Sequence, residues 1–112
     1  MYVTKYLTKF MILSAAPTIG HDDQLKSPQT LRRGQKFVIH TTIGGLPTPT
    51  TRWTVNGQPL TPSARLLVDV TPTTNALTIN DANFDHTGSY VLTAENAVGF
   101  TTAEFVITVK GR

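Results

Sequence analysis

The sequence predicts an all-β fold, a Greek-key β-sandwich of two antiparallel sheets. Three observations carry this. Apolar residues recur with period two rather than at helical spacing. Clusters of Gly, Pro, Asn and Asp interrupt them at short intervals, and seven prolines and eight glycines leave little room for helices of ordinary length. About seven to nine short strands result, spaced as a sandwich requires.

The chain has 112 residues, which suits one domain with one core. Hydrophobic residues make up 39% and charged ones 15%, too apolar a balance for a disordered chain. No internal repeat is present.

Residues 1–15 read as a leader or linker segment. Their apolar run, Phe10 to Leu13, falls short of the roughly 7–15 residues of a signal-peptide core. No apolar run approaches the ~20 residues of a membrane helix. The domain is expected over residues 16–112. Its first strand is split between "APTI" and "LKSPQTLRR", and Pro28 removes a ladder donor, which assigns that strand to a sheet edge.

"GQKFVIHTTIGG" is the next strand, with Phe37, Ile39, Thr41 and Ile43 on its inner face and His40 outward. "GGLPTPT" stops it. "TTRWTV" sets Thr51, Trp53 and Val55 on one face, and Asn56-Gly57 is the strongest turn signal in the chain. "SARLLVDV" is a further strand and "TPTTN" a turn. "ALTIN" aligns Leu77 with Ile79. "DANFDHTGS" connects onward, with room for one helical turn. "YVLTAEN" turns Tyr90, Leu92 and Ala94 inward. After the "AVG" turn, "FTTAEFVITVK" closes the chain with Ala103, Phe105, Ile107 and Val109 in line.

From about Ala16 to Lys110 these landmarks, in order and in register, resemble an immunoglobulin domain of the I-set type. "GQKFVIHT" resembles strand B and "GGLPTPTTRW" the approach to the strand C tryptophan. "ALTINDANFDHTGSYVLTAENAVG" resembles strands E and F with their corner and the F–G hairpin. Trp53 falls 12 residues after Thr41, which suits the family. The resemblance makes Thr41, Trp53, Leu77, Tyr90 and Leu92 the structural core, with Trp53 at the centre between the sheets. It makes Tyr90 a corner tyrosine whose hydroxyl bonds upstream backbone. Gly88 is expected to supply the backbone freedom of that corner.

Two departures from the family stand out. The bridge positions are Thr41 and Leu92, in a chain without cysteine. Thr41 then needs a hydroxyl partner, expected on its own strand's carbonyls or in a buried water. The family's aspartate four residues before the tyrosine is His86 here. Its usual arginine partner corresponds to Arg65, which is left to Asp85, Asp69 or solvent.

Catalysis and cofactors are not expected. His21-Asp22-Asp23 does not converge on a metal, since neighbouring residues on a strand or turn point apart. Ser89, His86 and Asp85 lack a nucleophile elbow or an oxyanion loop. There is no phosphate-binding loop. The net charge is +3, yet only Arg32, Arg33 and Lys36 cluster. A nucleic-acid footprint needs a denser stripe with aromatic platforms. No membrane, nucleic-acid or small-molecule partner is expected.

The absence of cysteine suits a reducing compartment. I-set domains without the bridge resemble those of giant intracellular muscle proteins, the titin, twitchin and obscurin group. The resemblance implies a cytoplasmic, sarcomeric scaffold whose partners are neighbouring immunoglobulin or fibronectin domains and filament proteins. It also implies load carried across strands near the two termini, Leu25 to Leu31 and Phe105 to Val109. The alternative is an extracellular adhesion or receptor domain. That reading usually needs the bridge and a secretion signal, and the chain lacks any N-x-[ST] glycan acceptor.

Overall fold

A computed structural model describes residues 14–111. The expected leader lies outside these residues except for Ser14 and Ala15, and Ala15 already opens the first strand. The order is β1 (Ala15–His21), a 3-10 turn (Asp23–Lys26), β2 (Gln29–Arg32), β3 (Phe37–Leu46), β4 (Thr50–Val55) and β5 (Gln58–Pro59). Then follow β6 (Leu66–Thr71), β7 (Thr74–Ile79), a second 3-10 turn (Phe84–His86), β8 (Gly88–Glu95) and β9 (Phe100–Lys110).

Two sheets result. One runs β1-β3-β7-β6 and the other β2-β9-β8-β4-β5. The split first strand therefore serves both: β1 pairs antiparallel with β3, and β2 pairs parallel with β9. The crossing between them is the 3-10 turn capped by Asp22, whose side chain accepts from the Gln24 N–H. Pro28 sits just before β2, at the outer edge of the five-stranded sheet, where its missing donor costs no ladder bond.

The inner faces follow the period-two pattern. Ile39, Thr41 and Ile43 of β3 meet Leu77 and Ile79 of β7, and across the gap lie Trp53, Tyr90, Leu92, Phe105, Ile107 and Val109, all buried. Asn56 and Gly57 both take positive φ, 51° and 81°, the tight turn that joins β4 to β5.

Three expectations need correcting. Leu25 is buried in the 3-10 turn rather than on a strand, because the chain must change sheets there. Phe105 pairs with Tyr90 of β8, so the pairing of the first and last strands is confined to Gln29–Arg32 against Ile107–Lys110. Gly88 adopts no left-handed conformation. What it provides is room, since a Cβ there would stand 2.6 Å from the Asn56 amide nitrogen. That Asn56 side chain accepts the Ser89 N–H at 3.0 Å and ties the β4–β5 turn to β8.

Candidate functional site

The first feature is the centre of the sandwich. Leu92 is wholly buried and pairs with Trp53 across β8 and β4. Thr41 is wholly buried on the opposite sheet. Its hydroxyl donates to the Asn75 carbonyl at 2.6 Å. The partner is thus on the neighbouring strand β7, not on its own strand or in a water.

Asn75 itself is the residue that sequence reasoning missed. It is 1% exposed, and its side-chain oxygen accepts the Trp53 indole N–H at 2.8 Å. Its amide donates to the Thr51 hydroxyl at 2.8 Å. A short polar residue after "TPTT" reads as turn, yet β7 begins at Thr74 and continues Asn75, Leu77, Ile79 on the inner face. That alternation was the available signal. Asn75 joins the two sheets through Trp53, and its hydrogen bonds satisfy polar groups whose burial unpaired would cost stability.

The second feature is the corner between β7 and β8. The Tyr90 hydroxyl donates to the His86 carbonyl at 2.6 Å, closing the connection. His86 is 8% exposed, and its Nδ1 accepts the Asn83 N–H at 3.0 Å. The Asn83 side chain in turn accepts the Asp85 N–H at 2.8 Å. Histidine here does a capping carboxylate's work, as the closing residue of a capping box. Burial, then the nearby Arg65 guanidinium, holds its imidazole below the usual range, with Asp85 and Asp81 opposing weakly. Burial also raises the Tyr90 phenol.

Arg65 pairs with Asp81 at 3.1 Å, not with Asp85 or Asp69. Asp81 takes a positive φ of 53° at the tip of the corner, and the Arg65 carbonyl accepts the Asn80 N–H at 2.8 Å, which brings the two side chains together. Ser89 donates to the Glu104 carboxylate while the His86 ring faces Asn83, so Ser89, His86 and Asp85 form no relay. Among the described residues no group of three His, Asp or Glu is placed to hold a metal ion. No helix among them is long and apolar enough to cross a membrane.

The third feature is the seam of the first and last strands. Gln29, Thr30, Leu31 and Arg32 pair in parallel with Ile107, Thr108, Val109 and Lys110, and the Arg33 N–H extends the seam to the Lys110 carbonyl at 3.0 Å. At the opposite end Asn96 acts as a clasp. Its amide donates to the Ala15 and Pro47 carbonyls at 2.9 and 3.0 Å, and its oxygen accepts the Val98 and Gly99 N–H groups.

A two-sheet sandwich with a central tryptophan and a corner tyrosine defines an immunoglobulin-like β-sandwich module. The chain belongs to the immunoglobulin I-set domain family, whose model matches residues 22–109. Peroxidasin of Drosophila melanogaster is 36% identical over 85 residues, which is 73% of this chain and 5% of that protein. The muscle M-line assembly protein unc-89 of Caenorhabditis elegans is 31% identical over 103 residues, 88% of this chain and 1% of that protein. The chain thus spans a small fraction of the relatives it matches. Among solved structures, the titin M3 domain superposes with a TM-score of 0.75 at 27% identity, covering 85% of this chain and 97% of that one. A complex of titin M10 with an obscurin-like 1 immunoglobulin domain gives 0.72 at 28%, covering 88% and 97%.

Proposed function

We propose that this chain is one structural and protein-interaction module of a multidomain sarcomeric or cytoskeletal scaffold, carrying force between its neighbours and docking filament proteins. The observation that carries the reading is the parallel seam of β2 and β9. The two strands come from early and late in the sequence yet lie side by side, so the chain enters the ladder at one end and leaves it at the other. Pulling those ends apart loads the evenly spaced bonds of the parallel ladder along the strand axis, all at once. A ladder peeled from one end would yield bond by bond.

The relatives lend support. One is named for muscle M-line assembly, and titin M10, a fold neighbour, has been solved with a protein partner. A chain free of cysteine, with its centre closed by Thr41, Asn75 and Leu92, suits a reducing cytoplasm. Force spectroscopy on a tandem array of this domain tests the proposal. Rupture well above the force that extends an unstructured linker is expected, and rupture at linker-like force would sink it. Fractionation of the parent protein tests the location: recovery with secreted material would favour the extracellular alternative.

A further inference from the structure

The fold sorts the charges by pole. Arg32 and Arg33 end the β2 seam and Lys36 immediately precedes β3. Arg32 sits opposite Lys110, and the Arg33 N–H reaches the Lys110 carbonyl. The corner folds onto the same turn: the Gly34 N–H donates to the Ala82 carbonyl at 2.8 Å, and Ala82 returns a bond to the Gln35 carbonyl at 3.0 Å. Arg65 joins through its pair with Asp81. Five cations therefore share this pole with two carboxylates, Asp81 and Asp85. The rest of the described chain has the opposite balance, Lys26 and Arg52 against Asp22, Asp23, Asp69, Glu95 and Glu104.

Arg32, Arg33, Lys36 and Lys110 are exposed and have no ion-pair partner among the described residues. Beside them is an open cavity of about 550 Å³, lined among the described residues by Arg33, Gly34, Asp81 and Gly111. Phe84, 56% exposed, stands under the Arg33 guanidinium, 5.8 Å from its ring centre.

We infer that this pole is a docking surface for an acidic peptide segment of a protein partner, with carboxylates on the free arginines and lysines and one apolar side chain against Phe84. The inference rests on the protein-interaction reading above and supplies the partner's chemistry. Charge complementarity selects the sign of the occupant. The two carboxylates select its class. A nucleic-acid backbone or an anionic bilayer presents closely spaced phosphates that Asp81 and Asp85 would repel, whereas a peptide can leave those positions neutral. A single exposed aromatic also serves one apolar side chain better than a run of stacked bases.

The test uses the full chain and a fluorescein-labelled peptide alternating glutamate with serine around a central phenylalanine. Anisotropy titrations should show binding that weakens steeply as salt rises. Arg33→Glu and Lys36→Glu should each weaken it at least about fivefold, the scale of one lost charge contact at ~4 Å in water, while Lys26→Glu leaves it unchanged. Unaltered melting of each variant separates lost binding from lost folding, and Lys36→Glu lies off both the seam and Phe84. Salt-independent binding, no binding, or equal loss in Lys26→Glu overturns the inference. So does tighter binding to an oligothymidine or to phosphatidylserine vesicles. Failure here leaves the force reading of the seam intact, because rupture of the tandem array does not depend on these side chains.

Discussion

The sandwich centre and the β7–β8 corner both stand where this chain departs from its family, and they solve the departure with different chemistry. At the centre, Thr41, Asn75 and Trp53 form hydrogen bonds between groups that do not titrate near neutral pH. At the corner, the group that accepts the Asn83 N–H is an imidazole. The centre is thus insensitive to mild acid and the corner is not. A lost cross-link can be replaced by packing with neutral hydrogen bonds, but a replaced carboxylate brings its substitute's own proton equilibrium with it.

Breaking the centre should have the largest effect. Leu92→Ala empties a wholly buried position beside Trp53 and should cost about 2–5 kcal/mol in denaturant unfolding. A loss near that of a surface substitution would mean that Leu92 does not support the core. Asn75→Ala comes next, at about 1–3 kcal/mol, because it strands the buried indole N–H. A shift in tryptophan emission should accompany it. If Asn75→Ala unfolds at the parent's denaturant midpoint, the link between the sheets is not what holds them.

At the corner, Tyr90→Phe removes the hydroxyl bond to the His86 carbonyl and should cost about 0.5–1.5 kcal/mol. The smallest effect is the most specific. The folded state holds His86 below its ordinary value of 6.5, so in the window beneath that value the unfolded chain binds more protons. His86's contribution is fully present above about pH 6.5 and is lost as pH falls from there through the folded value. His86→Asp restores an acceptor for the Asn83 N–H and a charge complementary to Arg65, and should flatten the slope directly below pH 6.5. An unchanged slope in His86→Asp would assign the acid sensitivity to another group.

The strands and their inner faces were legible because burial imposes period two wherever one face meets a core. Trp53 and Tyr90 were legible because each is a large side chain on such a face. The partners were not. Thr41's acceptor, Trp53's acceptor and Arg65's carboxylate all lie 16 or more residues away along the chain, set by sheet register and corner geometry. Asn75 was hidden by its type, since threonine and asparagine in succession signal a turn equally well. The basic pole was half visible: Arg32, Arg33 and Lys36 are neighbours in sequence, while Arg65 and Lys110 arrive only through pairing. Gly88 was visible but misattributed, because a glycine's need for space looks the same in sequence as its need for unusual φ.

The divided first strand also bears on where this domain can be cut. The family match begins at Asp22, one residue past the end of β1. A chain truncated there would keep β2 and its seam but uncover β3 along Thr41–Leu46, the stretch that pairs with β1, leaving its backbone donors and acceptors exposed. Such an open edge invites pairing with another molecule. The seven residues from Ala15 to His21 thus also cover an edge, and a chain shortened to its family boundary should self-associate more readily than the full chain while its core remains formed, a difference that sedimentation would read.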